Sequence, residues 1–433
     1  MLGKKSLGAL SRRRMVVATA LVATATIGAT VAMTVAAKTG TAGTTQPDAR
    51  AQQVQQLTAL ADKAIAAGVP GIIVRVDDGT GRQVEIARQA GWTVGDHRLK
   101  VSDQLQTGST TKTITGILIL QQVAEHRLSL DDPIERWLPG AIPEGRNITI
   151  RMLLQHNSGL EDFTFDKTTL DLLTGHGDNY PTPAQLLDRA AKLPLKFAPG
   201  KGWAYSNPAY IALGMVLEKV TKRPYSELVQ QRIVRPLHLR DTYMPNRTDP
   251  RPIRPRMAHG YEPDAAHLKP LLPEDIPAGY GFEGPVRGDW VDITGVNPNW
   301  YFSAGGLVST SSDWGRIHRA LMTGRLVPAA QLKEMMNVVQ EDLNDPAYGP
   351  NRRYGLGLEQ VRTPCGMVWG HDGAVGGYNS DIYVDRAGRR TYSVHTTTLF
   401  SLKLDEAKAK AAEAVVDAAA CVMLGKPIPA PAK

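Results

Sequence analysis

The stretch Thr107–Leu120, TGSTTKTITGILIL, decides how the rest of the chain is read. It holds a serine, Ser109, and three residues later a lysine, Lys112. Small hydroxyl residues after Gly108 lead into Ile114, Ile117, Leu118, Ile119 and Leu120. These are apolar around most of a helical circumference, which predicts a helix buried in the middle of a domain. Residues i and i+3 share one helix face, so Ser109 and Lys112 stand side by side at the amino end. Desolvation disfavours an ammonium. A neutral amine beside a hydroxyl takes the hydroxyl proton and makes the serine a nucleophile. Backbone N–H groups left unpaired at a helix start lie near the place where an oxyanion would form. Ser-x-x-Lys fixes only two positions, so about one chance occurrence is expected in a chain this long. The sequence contains one, and other stretches must decide its meaning.

The chain has 433 residues, 42% hydrophobic and 21% charged, an ordinary globular composition with length for a large core. The net charge of +8 is carried largely by the first residues. Lys4, Lys5, Arg12, Arg13 and Arg14 precede the apolar run Met15–Ala37 with no acid among them, and without them the excess is +3. That is too weak, and too little interleaved with aromatics, to suggest a nucleic-acid partner. A basic start, an apolar run and small residues at Thr34, Ala36 and Ala37 read as a signal peptide over 1–37, followed by a flexible spacer over 38–46. Ser11-Arg12-Arg13 allows a twin-arginine route, and an uncleaved anchor is the other reading. Either places the folded part outside the cytoplasm, secreted or at the cell surface. An even count of two cysteines, Cys365 and Cys421, then suggests one disulfide, with two buried thiols as the alternative. No His/Cys spacing suits zinc, and neither a metal nor a cofactor is expected.

Periodicity predicts a helix over 47–67, strands over 72–76 and 84–90, short or full helices over 148–155, 183–193, 209–220, 313–322 and 328–338, strands over 354–358, 367–371, 378–384 and 391–397, and a last helix over 405–423. Strands thus lie at both ends and helices between. One antiparallel sheet built from both chain ends, with a helical lobe over about 161–300, is the simplest closure. Asp249–Asp292, rich in Pro and Gly, reads as a long surface excursion. One domain is expected over 47–425, with a tail over 426–433.

Two more fragments fit Ser109 and Lys112. In WAYSNPAY, Tyr205 offers a hydroxyl to hold or pass a proton, and Asn207 an amide to orient the lysine. In His371-Asp372-Gly373, the glycine lets a substrate backbone approach a strand edge. The N–H of Ala374 joins that of Ser109 as an oxyanion hole. Each also has a plain structural reading: a helix-entry aromatic, an N-cap, a satisfied core histidine, a turn. The order Ser-x-x-Lys, Tyr-x-Asn, His-x-Gly is far more specific than any part.

On these motifs the chain resembles the serine β-lactamase and penicillin-binding-protein superfamily, in the branch of exocellular D-alanyl-D-alanine carboxypeptidases and class C β-lactamase-like hydrolases. The likeness runs from about Thr107 to Pro427 and includes LLQHNSGL, SAGGLVST, YGLGL and CGMVWGHDGAVGGY. It implies an α/β fold with a five-stranded antiparallel sheet, an all-helical lobe, an acyl-enzyme on Ser109, leaving-group assistance by Tyr205 or His371, acylation by β-lactams, and a Cys365–Cys421 bridge. A monomer acting on a peptidoglycan peptide or a small ester or amide is expected. The carboxypeptidase branch grips a free substrate carboxylate with threonines around the last glycine and an arginine after the YGLGL-like segment. Asp372, Ala374 and Glu359 stand there instead. Two carboxylates in that subsite repel a carboxylate unless Arg362 compensates. The reading is a serine hydrolase, first a D-alanyl-D-alanine carboxypeptidase. Rivals are an esterase or D-aminopeptidase on the same scaffold, and a β-lactam sensor that never turns over.

Overall fold

The computed structural model describes residues 49–163, 167–176, 180–246, 255–277, 279–342 and 349–430; the leader and spacer expected over 1–46 lie outside them. Helix α1 covers Ala49–Ala66. Strands β1 (Gly71–Asp77) and β2 (Gln83–Gln89) form the first hairpin. The opening stretch gives a single 3₁₀ turn over Gly108–Thr110 and then helix α2, Thr111–Ala124. Helices α3 (Asn207–Thr221) and α4 (Ser311–Met322) follow. The other strands of the main sheet are β3 (Val339–Gln340), β4 (Arg352–Tyr354), β5 (Glu359–Thr363), β6 (Gly366–Val375), β7 (Tyr378–Val384) and β8 (Thr391–Thr396), and α5 (Glu406–Leu424) is the last helix.

The strands join in one antiparallel sheet of order β2-β1-β8-β7-β6-β5-β4-β3. Strands from the two chain ends meet one place in from the β2 edge, where Val74 of β1 faces Val394 of β8. Every residue of β1 is buried, as expected for a strand covered on both faces. On one face Val74, Val76 and Val394 pack against Leu57 and Ala61 of α1 and Val415 and Ala419 of α5. On the other, Trp369, Ile382 and Val384 share a larger core with Ile117 of α2 and Trp314 and Leu321 of α4. Each fully buried Leu or Val here is worth about 1.5–3 kcal/mol over its exposed state. A Cys365–Cys421 disulfide ties the β5–β6 turn to α5.

Three expectations need correction. The sheet has eight strands and not five, because β5, β4 and β3 extend the edge beyond β6. The segment 354–358 is not a strand: β4 ends at Tyr354 and Gly355–Leu358 turn before β5 begins at Glu359. The middle lobe is not all helical. The excursion carries a three-stranded sheet of Tyr261–Pro263, Trp290–Asp292 and Val286–Arg287, clasped to the main sheet by Glu262, whose buried carboxylate accepts the N–H groups of Gly377, Leu399 and Phe400.

Candidate active site

Ser109 sits in the 3₁₀ turn and is half-buried, while Lys112, in the first turn of α2, is wholly enclosed. The turn is set by close backbone contact with β6. Gly108 has φ +57°, and a Cβ there would lie 2.8 Å from both the nitrogen and the oxygen of Ala374. A Cβ on Gly373 would lie 2.0 Å from the carbonyl oxygen of Thr107. The glycine of His-x-Gly therefore admits the chain's own backbone at Thr107, while the β5 ladder stops opposite Gly370 and leaves the other edge of β6 open at Gly373. The same contact sets Ser109 close beside the exposed Ala374.

Lys112 Nζ has three neighbours: Ser109 Oγ at 3.1 Å, Asn207 Oδ1 at 2.7 Å and the Ala304 carbonyl at 2.9 Å. Burial pushes its pKa down to about 7, against the pull of Asp162, Asp372 and Glu359. A neutral amine has two protons and one lone pair. Asn207 and Ala304 can only accept, so they take the two protons and the lone pair is left to the Ser109 hydroxyl. Asn207 is available because it does not cap α3: Ser206 does, its Oγ accepting from Ala209 N. Asp162 fixes the amide, accepting from Asn207 N at 3.0 Å and from Nδ2 at 3.2 Å, which turns Oδ1 toward the lysine. Tyr205 lies over the same amine, with Nζ 4.6 Å from its ring centroid.

His371 does not join them, and its expected part in leaving-group chemistry is corrected. Its ring is fully buried, its Nε2 is 2.8 Å from the Tyr354 hydroxyl, and its Nδ1 is 2.5 Å from the Asp372 carbonyl. Burial pushes its pKa down to about 4. The neutral ring accepts from the tyrosine and donates to the carbonyl, which shapes β6. Glu359 is corrected as well. It is 2% exposed, takes the Tyr383 hydroxyl at 2.9 Å, and pairs with Arg352 at 2.6 Å. Asp372 keeps a 39% exposed side chain and pairs with the same guanidinium at 3.0 Å. The compensating cation is thus the buried Arg352, while Arg362 is exposed. Glu359, His371 and Asp372 place ligand atoms within 4.8 Å of one another, as a metal site would, but Arg352 already lies on both carboxylates.

Sequence reading missed Arg352, Asp162 and the Ala304 carbonyl. Asp162 follows LLQHNSGL almost directly and Ala304 lies in SAGGLVST, so both had a local signal; Arg352 had none.

An antiparallel sheet flanked by helices, with a serine and a buried lysine at the start of an inner helix, is the arrangement of a serine hydrolase. A family model described as Beta-lactamase matches residues 32–417, and the chain belongs to that family. Penicillin-binding protein 4* of Bacillus subtilis (strain 168) is 25% identical over 340 residues, 77% of this chain and 68% of that protein. Esterase EstB of Burkholderia gladioli is 28% identical over 310 residues, 64% of this chain and 73% of that one. Among solved structures, a D-stereospecific amidohydrolase from Streptomyces sp. is 34% identical with a TM-score of 0.68, covering 84% of this chain and 98% of that one.

Proposed function

We propose that the protein is an exported hydrolase of amides or esters of D-configured residues, working through an acyl-enzyme on Ser109. The carrying observation is Asp372, whose 39% exposed carboxylate stands on β6 two residues before the exposed Ala374 that lies beside Ser109. Its charge disfavours a substrate ending in a free carboxylate and favours a neutral amide or ester, or one bearing an ammonium group. The likeness to the Streptomyces amidohydrolase supports the same choice. In this reading the Lys112 lone pair takes the Ser109 proton as Oγ attacks the carbonyl. The N–H groups of Ser109 and Ala374 hold the oxyanion, Tyr205 returns a proton to the leaving group, and water then releases the acid. Penicillin acylates the same serine.

A D-alanyl-D-alanine carboxypeptidase is the second reading. It is favoured by Arg352, which pairs with Asp372 at 3.0 Å and offsets part of the repulsion, and by the likeness to a penicillin-binding protein. The deciding experiment compares kcat/KM for D-alanine p-nitroanilide, its L isomer, and Nα-acyl-Lys-D-Ala-D-Ala as free acid and as amide, with Ser109→Ala as the blank. Faster turnover of the D-anilide than the L, and of the amide than the acid, supports the first reading. Preference for the free acid selects the second. Penicillin labelling with no turnover of any substrate would leave only a sensor.

A further inference from the structure

His156, in LLQHNSGL, takes no part in the chemistry above, yet it touches the stretch bearing Tyr205 on both sides. Its carbonyl accepts from Ala204 N at 3.0 Å, and its Nδ1 accepts from Ser206 N at 3.1 Å. Its ring lies 4.4 Å from the Tyr205 ring, tilted by 31°, and is walled by Tyr210 and Tyr354 at 5.1 and 4.7 Å. The residue is fully buried and sits at φ +63°, a left-handed backbone that non-glycine residues adopt at a cost.

The tautomer follows from these contacts. Nδ1 faces a backbone N–H, so it is the acceptor, and the ring proton is on Nε2. Nε2 has no hydrogen-bond partner among the described residues. Burial and the Lys112 charge keep the imidazole from protonating, since both push its pKa well below the usual value. A phenylalanine would fill this aromatic pocket and spare the orphan Nε2–H, but it would strand the Ser206 N–H that Nδ1 now accepts. Keeping a histidine there, on a strained backbone, makes sense if the Nδ1 acceptor is what matters. The acceptor holds Ser206, and Ser206 caps the helix whose first residue, Asn207, grips Lys112. One ring nitrogen thereby fixes two site residues.

We propose that His156 is a positioning residue, whose Nδ1 holds Ser206 N–H and so places Tyr205 over Lys112 and Asn207 beside it. The proposal rests on the acyl-enzyme reading of Ser109. The test uses the full chain and p-nitrophenyl acetate, a small uncharged activated ester. His156→Phe keeps a flat ring and loses the acceptor. His156→Asn loses the ring, keeps an acceptor oxygen near the Nδ1 position, and tolerates positive φ. Expected are a fall in kcat of about 10- to 100-fold for His156→Phe at a KM within about twofold, with a Tm only modestly lowered by the stranded Ser206 N–H, and recovery to within about fivefold of wild type for His156→Asn. Wild-type kcat in His156→Phe, or equal losses in both variants that follow Tm, overturns the proposal. Should His156→Phe not fold, the Asn variant decides alone: a loss beyond about 10-fold with an unchanged Tm overturns it. Ser109→Ala separates the two levels. If that variant still forms an acyl adduct the underlying reading fails; if it does not and His156→Phe behaves as wild type, only the positioning role fails.

Discussion

Replacing Asp162 by asparagine should move the acidic limb of the rate profile to lower pH. The active amine of Lys112 is the unprotonated one, so kcat/KM rises as pH climbs through its pKa of about 7. Asp162 is the strongest of the charges holding that value up against desolvation. The Asn207 amide separates the two groups, with Oδ1 2.7 Å from Nζ and Nδ2 3.2 Å from the carboxylate. Charge-to-charge distance is then roughly 7 Å, worth about 2 kcal/mol at an effective dielectric of 20. Asp162 is half-buried and burial pushes its own pKa up, so about one pKa unit of that survives. Asparagine still accepts from Asn207, leaving its orientation intact. The limb should fall from about 7 to about 6, and below it the variant should outpace wild type by up to about tenfold. Turnover of p-nitrophenyl acetate between about pH 5 and 9 measures this, because an uncharged ester removes any binding role of Asp162. A limb that stays put or moves upward would refute the assignment of Lys112 as the base.

Three further outcomes are expected. Gly108→Ala drives a methyl to 2.8 Å from the Ala374 backbone at a left-handed φ; kcat should drop about 100-fold or more as the oxyanion donors separate, and near wild-type kcat would show that β6 gives way freely. Arg352→Met takes the guanidinium from the buried Glu359 carboxylate and from Asp372, so urea unfolding should report a loss of about 3–5 kcal/mol; a loss under about 1 kcal/mol would mean the Glu359 carboxyl protonates at no cost. Reducing Cys365–Cys421, which spans a separation of 56 residues, should lower stability by about 4 kcal/mol on the loop-entropy account, checked by urea titration with and without reductant.

Much of this was legible because it is local. The Ser109–Lys112 spacing, the hairpin of β1 and β2, the turn after β7 and the terminal helices all follow from period and punctuation. Asn207 and Tyr205 were legible by type, though the sequence left open whether Asn207 caps α3; Ser206 taking the cap is a register detail that only geometry resolves. His371 and Glu359 were misplaced because the face a strand residue presents depends on register and packing, and both turn into buried partners. The Ala304 carbonyl carries no side-chain signature. Its role comes from a tight loop whose Phe302 has φ +46°, which composition does not reveal.

The pairing of β1 with β8 joins residues about 320 positions apart, as in Ile72 with Thr396. Closing so long a loop costs entropy before any contact rewards it, and topologies of this kind fold late and slowly. Ala374, one of the proposed oxyanion donors, lies on a strand in the same sheet, only two places from that closure. A growing polypeptide therefore carries Ser109 and Lys112 for most of its synthesis without the sheet that completes them. Hydrolytic competence arrives in one step, with the last strand, and a chain truncated before β8 should be inert rather than weakly active.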